Sequence, residues 1–241
     1  MPFMSVAKNV AALRERIETA SQRARRASSE ITLMGVTKTV SAEKIREAFD
    51  AGLRVFGENR VQEFAAKTDE LGDVREAEWH MIGHLQTNKA VKAAELFTHI
   101  DSVDSLRLAQ KLNSAAVSLG KKLSVLIEFN IAGESAKSGL APDSSELEEL
   151  LAAAPELTSL NFEGLMTVPP YAENPEMSRP YFRKMRDLFD RIAARKLPAV
   201  QMETLSIGMS HDFEIAIEEG STCVRLGTAI FGERPPARSK G

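Results

Sequence analysis

With a single cysteine, Cys223, among its 241 residues, the chain can form no internal disulfide and no metal site built on cysteine. The one thiol falls in the apolar run Cys223–Leu226 and is expected to be buried and inert. Long hydrophobic runs are equally scarce. No stretch approaches the length of a membrane span, and the N-terminus has no apolar run of the signal-peptide kind. No membrane role is expected, and the expected location is cytoplasmic. An excess of positive charge is missing too. Lys and Arg number 31 against 34 Asp and Glu, a net charge of −3, so no overall basic field favours nucleic acid. The basic group Arg23, Arg25 and Arg26 is local and reads as a solvated helix face. Finally, no Gly-x-Gly-x-x-Gly follows the first predicted strand, which removes the signature of a dinucleotide-binding open sheet.

What the chain does have is alternation. Residues 4–28 carry Val6, Val10, Leu13, Ile17, Ala20 and Ala24 at helical spacing and predict an amphipathic helix. Eight short apolar runs follow, at 31–36, 53–56, 79–82, 96–100, 123–130, 161–166, 203–210 and 223–226. Each ends in a polar or glycine-bearing turn, and nearly all lead into a helical pattern. Ser41 is placed to cap the helix after the first run, which stops near Gly52. Asp143, with Glu146 three residues on, predicts a capping box. The run 123–130 is the longest and reads as a strand buried on both faces. Strand–helix alternation implies parallel strands joined by right-handed crossovers. Eight such units in 241 residues match a (β/α)8 TIM barrel in one domain, with an extra helix in front.

In such a barrel the functional face is the C-terminal ends of the strands, and phosphate is often held after the seventh and eighth. Two turns fall there. Gly208-Met209-Ser210 closes the seventh strand and Gly227-Thr228 breaks the eighth, setting a hydroxyl, backbone N–H groups and a helix N-terminus side by side. Taken singly, Ser210 is a helix cap and Gly227 a turn residue. Together at this place they predict a site for a phosphate-sized anion. The same face collects Lys38, Asn59, His84, Met166 and Arg225. A lysine in a half-buried strand mouth near an arginine has its charged form disfavoured, leaving an amine suited to Schiff-base chemistry with an aldehyde. Most lysines are simply solvated. Across the seam of strands one and eight from a phosphate site, Lys38 instead points to pyridoxal 5′-phosphate (PLP), an aldehyde that carries a phosphate. Arg225, inside the apolar run CVRLG, needs a partner for its charge. A pyridine ring nitrogen is one, and an acidic residue such as Glu203 is another. His80, His84 and His99 come from different strands without the paired local spacing of a zinc site, so no metal is expected and His80 and His99 read as core or rim residues. No nucleophile elbow supports a Ser-His-Asp triad.

The segments GVTKTV, FGENRVQE, WHMIGHLQTNK, HIDSVDS, SGLAP, FEGLMTVPP and GMSHDFEIAIEEGSTCVRLGTAIFGER stand in that order along the chain. On them the chain resembles the YggS/PROSC family, the PLP homeostasis proteins, over residues 5–234. The resemblance implies a barrel similar to the N-terminal domain of alanine racemase, fold type III among PLP proteins. It implies that Lys38 is the Schiff-base lysine and that Arg225 faces the pyridine nitrogen. Ser210, Gly227 and Thr228 would form the phosphate cradle, and Asn59 and Met166 would line the cofactor. It further implies a protein that carries or buffers PLP for PLP-dependent apoenzymes without catalytic turnover. A single complete barrel of this size is expected to be a monomer. One position departs from the family pattern: His211 follows Gly-Met-Ser where an acidic or small residue is common, and would add a donor if that helix start faces the phosphate. The alternative is a PLP-dependent amino-acid racemase. Racemases of this fold use a second base, a tyrosine from a second domain of the partner subunit. The only tyrosines here are Tyr171 and Tyr181, in or just beyond the loop after the sixth strand, and the chain ends directly after the barrel. Arginine at the ring nitrogen also weakens the cofactor as an electron sink, so the carrier is the expected function.

Overall fold

A computed structural model describes residues 5–74 and 76–232. Its first helix, α1 (Val6–Arg23), begins where the Ser5 hydroxyl accepts from the Lys8 N–H, and it buries Val6, Val10, Leu13, Ile17 and Ala20. The helix is shorter than the predicted 4–28. Arg25 takes φ 57°, and a 3-10 turn at Ser28–Glu30 leads to the first strand; residue 4, the predicted start, lies outside the described residues. The basic residues at its end are not simply solvated. Arg23 pairs with Glu218, and Arg26 donates to the carbonyls of Ile217 and Ser221, which latches this helix to the last part of the chain.

Eight strand–helix units follow. They are β1 (Thr32–Val36) with α2 (Ala42–Asp50), β2 (Val55–Glu58) with α3 (Val61–Ala65), and β3 (Glu78–Met81) with α4 (Ala90–Leu96). Next come β4 (His99–Val103) with α5 (Leu106–Ser118), β5 (Leu123–Phe129) with α6 (Ser145–Ala153), and β6 (Leu160–Thr167) with α7 (Arg179–Ala194). The last are β7 (Val200–Met209) with α8 (Phe213–Glu218) and β8 (Cys223–Leu226) with α9 (Thr228–Phe231). Every strand is parallel to its neighbours, and β8 returns to β1 in the register Met34↔Arg225 and Gly35↔Leu226, giving a closed eight-stranded barrel. This is the TIM barrel that the alternation predicts. The end of the last matched segment, Glu233 and Arg234, lies outside the described residues. No helix among those described is long and apolar enough to cross a membrane.

The main apolar core lies between the strands and the helices. Phe56 stacks on Trp79 at 5.1 Å, and Phe64 bridges Trp79 and Phe97 with tilted rings at 4.6 and 4.7 Å, contacts worth about 0.5–1.5 kcal/mol per pair beyond area burial. Inside the barrel the residues are more polar, and this displaces one strand from its predicted place. The fourth strand is His99–Val103, not 96–100: Leu96 ends α4, and Asp101 and Ser102 are strand residues rather than the turn. Asp101 is fully enclosed because its carboxylate serves His80 on the adjacent strand. The predicted capping box also moves. Ser144, not Asp143, caps α6 by accepting from Leu147 N, while Asp143 pairs with Arg191. Ser41 does cap α2, and Gly52 ends it at φ 85°.

The C-terminal ends of β2 and β3 approach so closely that a side chain is not accommodated at Gly83. A Cβ there would stand 2.3 Å from the Asn59 carbonyl oxygen and 2.8 Å from its Cα, both backbone atoms. Gly83→Ala is therefore expected to lower stability by about 1–3 kcal/mol, read as a lower denaturation midpoint; an unchanged midpoint would mean that the two strand ends part at little cost.

Candidate functional site

The turn after β1 is held from behind. Thr37 is buried; its N–H donates to the Gly57 carbonyl and its hydroxyl to Glu58 Oε1 at 2.7 Å. Lys67 reaches in from beyond α3 and donates both to Glu58 Oε1 at 2.8 Å and to the Thr37 carbonyl at 2.9 Å. A fully enclosed carboxylate is costly unless paired and hydrogen-bonded, and here pairing it fixes the backbone one residue before Lys38. Val40 N donates back to the Thr37 carbonyl, and Thr39 takes φ 61°, so the chain turns sharply with half-buried Lys38 at the bend.

The facing wall comes from β8. Ser210, just after β7, does not cap its own helix. Its Oγ accepts from Gly227 N at 3.3 Å and Ala229 N at 3.4 Å. The hydroxyl and the turn into α9 thus form one unit, as the paired reading anticipates. A cleft of about 250 Å³ opens between this turn and the β1 turn, lined by Lys38, Ser41, Lys44, Gly227, Thr228 and Phe231 among others. Lys38, Gly227 and Thr228 therefore share one cavity. Ser210 bonds to its wall. Lys44, which donates to the Phe231 carbonyl at 3.1 Å, is a second amine that the strand-end argument passes over because it sits one turn into a helix.

Arg225 stands lower, in register with Met34, and is 4% exposed. Its guanidinium donates to Ser206 O and Oγ, both at 2.6 Å, and to Thr167 O at 2.7 Å. Glu203, the acidic partner considered from the sequence, is exposed on the outer part of β7. Backbone carbonyls of β6 and β7 take its place. Burial pulls the Arg225 pKa down, while Cys223, Asp101, Glu128 and Asp212 favour the charge. Asn59 and Met166 occupy strand ends on the same side of the barrel, but neither lines the cleft, and Met166 is fully enclosed. His211 turns away: its Nε2 lies 2.9 Å from the Glu173 carbonyl and its ring 5.5 Å from Tyr171. His84 meets Asp104 at 3.2 Å on the rim. Cys223 is buried, and burial pushes its thiol up to about 12, in keeping with an inert group.

Glu128, on β5, is 9% exposed. Burial pushes its carboxyl up from 4.5 to about 7, Asp104 adds to the rise, and Arg225 opposes it. The sign of the consequence is definite. Between pH 4.5 and about 7 the folded protein keeps a proton that the unfolded chain releases, so stability falls as pH rises through this window, by roughly 3 kcal/mol in all. Glu128→Gln should flatten that slope and raise stability at pH 8 in urea unfolding. A slope unchanged in the variant would assign it to other groups.

The cleft thus brings an amine, Lys38, beside the Gly227-Thr228 turn, and the chain has relatives along almost its whole length. The family described as the alanine racemase N-terminal domain matches residues 9–235. The pyridoxal phosphate homeostasis protein of Aquifex aeolicus is 46% identical over 96% of this chain and 99% of its own length. That of Escherichia coli K12 is 45% identical over 95% and 97%. Among solved structures, PipY of Synechococcus elongatus with PLP bound is 34% identical with a TM-score of 0.83, covering 94% of this chain and all of that one. Alanine racemase of Clostridium difficile, 19% identical with a TM-score of 0.69, covers 97% of this chain and 58% of the racemase, and shares the fold alone. On the strength of these matches along almost its whole length, the chain belongs to the pyridoxal phosphate homeostasis protein family, built on the alanine racemase N-terminal domain.

Proposed function

We propose that this protein binds PLP through Lys38 and carries or buffers it for PLP-dependent apoenzymes, as a monomer and without turning over a substrate. The observation that carries the reading is that Lys38 and the Gly227-Thr228 turn line the same cleft across the β1–β8 seam. The residues present fit the cofactor. Ser210 and Thr228 offer hydroxyls for a phosphate, carried by the Gly227 turn whose own N–H goes to Ser210 Oγ, and Lys38 offers the amine. When bound, the cofactor supplies an aldehyde that condenses reversibly with an amine.

Each residue then has one task. The Thr37–Glu58–Lys67 network holds the turn that presents Lys38. The Ser210 hydroxyl orients the Gly227 turn. Arg225 is locked by three hydrogen bonds and would meet the ring nitrogen as a fixed cation, a partner that keeps the nitrogen unprotonated. Asn59 and Met166, which lie outside the cleft at the ends of β2 and β6, would border a ring that reaches from it into the mouth of the barrel. The relatives' shared name, homeostasis protein, and the PLP-bound structure of PipY support the same reading.

The racemase alternative asks for a second base opposite the lysine. Tyr171 is 77% exposed and Tyr181 packs partly buried against the core; among the described residues no tyrosine lines the cleft. A cleft open to water also suits release of the cofactor better than protection of a carbanion.

Lys38→Ala should abolish the visible absorbance of the protein with PLP while leaving the fold intact, and borohydride followed by peptide mapping should place a pyridoxyl group on Lys38 in the unaltered chain. A label on Lys44 instead would move the site one turn along α2. Arg225→Gln is expected to weaken PLP retention by about tenfold or more, the cost of a lost charged hydrogen bond; unaltered affinity would remove Arg225 from the site. Sustained interconversion of alanine enantiomers by the purified protein would replace the carrier with the racemase.

A further inference from the structure

At the other end of the barrel lies a second polar chamber, of about 140 Å³, bordered by Glu78, His80, His99, Asp101 and Cys223 among others. His99 opens β4 and His80 is the third residue of β3, in register as His80↔His99. Their rings stack 4.0 Å apart at 8°. The Asp101 carboxylate lies 2.9 and 3.2 Å from His80 Nδ1, so Nδ1 is the nitrogen engaged by Asp101 and Nε2 is the one left over. That Nε2 is buried and has no hydrogen-bond partner among the described residues. His99 engages its Nδ1 with Thr98 Oγ1 at 2.9 Å, leaving its other nitrogen for a ligand. One ligand atom each from Glu78, His80 and His99 lie within 4.8 Å of one another.

A buried ring nitrogen without a partner is costly, and an imidazole oriented by a carboxylate on its far nitrogen is the arrangement that metal ligands use. We propose that Glu78, His80 and His99 form a divalent transition-metal site, with Zn²⁺ the fitting ion, Asp101 as the residue that orients His80, and water in the remaining position. Two imidazoles and one carboxylate match the nitrogen and oxygen preferences of zinc. Ligand atoms in a tetrahedral zinc site sit roughly 3.4 Å apart, given bonds of about 2.0–2.1 Å, so the three, which lie within 4.8 Å of one another, must draw together on binding. Glu78 is exposed on the rim, and the His99 imidazole must rotate out of the stack, giving up its Thr98 Oγ1 contact, while Asp101 keeps His80 in place. Linear spacing counts against a metal here because no two ligands share a local motif. Adjacent parallel strands in register supply the pairing instead. The site would tie β3 to β4, whose ladder has just two register pairs, at the end of the barrel away from Lys38.

The test uses the full chain without a histidine tag, stripped by chelator and titrated with Zn²⁺ by calorimetry. One equivalent should bind, and the thermal unfolding midpoint should rise with it. His99→Ala should abolish both effects, Asp101→Asn should weaken binding by roughly 10–100-fold, and PLP loading should stay unchanged throughout. Should His99→Ala fail to fold, the rim variant Glu78→Gln carries the test, with weakened Zn²⁺ binding expected. Absence of saturable binding, or binding retained in the His99 and Glu78 variants, overturns the site.

Discussion

Closure of the sheet between β1 and β8 is the pairing on which everything else rests. Parallel hydrogen bonding in the register Met34↔Arg225 and Gly35↔Leu226 joins segments from opposite ends of the chain, and only then do the Lys38 turn and the Gly227 turn face one another. The closure is reinforced from outside. Asn9 donates to the Ile230 carbonyl, Lys44 to the Phe231 carbonyl, and Arg26 to Ile217 and Ser221. The helix in front of the barrel is thus a strap across its seam, and the cleft inherits its rigidity from a contact that neither wall could make alone.

The barrel interior divides into two polar levels. The upper one holds Arg225, its carbonyl partners on β6 and β7, and Glu128. The lower one holds His80, His99 and Asp101, where burial, with His80 adding and Asp101 opposing, pulls His99 down to about 4. Charges this deep persist only where hydrogen bonds replace water, and Arg225 shows how completely backbone carbonyls can do so. The interior is consequently poor as a hydrophobic core. Stability must come mostly from the outer layer, where Phe56, Phe64, Trp79 and Phe97 pack between strands and helices.

Periodicity makes the fold legible because it is a property of neighbouring residues, and the eight apolar runs appear as strands with small shifts. The shifts have physical causes. β4 is misplaced by its polar residues, since Asp101 looks like a turn residue until the histidine it serves is known. Ser144 and Asp143 are both good caps, and only backbone geometry chooses between them. At the site, the pairing of Ser210 with Gly227 is legible from spacing and topology, as is the position of Lys38 at a strand end. The supports are not. Thr37, Glu58 and Lys67 form their network through one backbone carbonyl as well as side chains, and Arg225 is held largely by carbonyls; a carbonyl is present at every residue and so marks none. Glu203 stands out in the sequence as an acidic partner for Arg225 because side chains are what a sequence displays.

The strap formed by α1 also bears on how the chain reaches this state. Its partners on α8 and α9 lie almost a full chain length away, and β1 has no second neighbour until β8 exists. Loop closure of that span must be met before these contacts return anything. A ribosome releasing the chain from its N-terminus would hold an open sheet with one bare edge until β8 emerges, so the ring can shut only after all eight strands have been made.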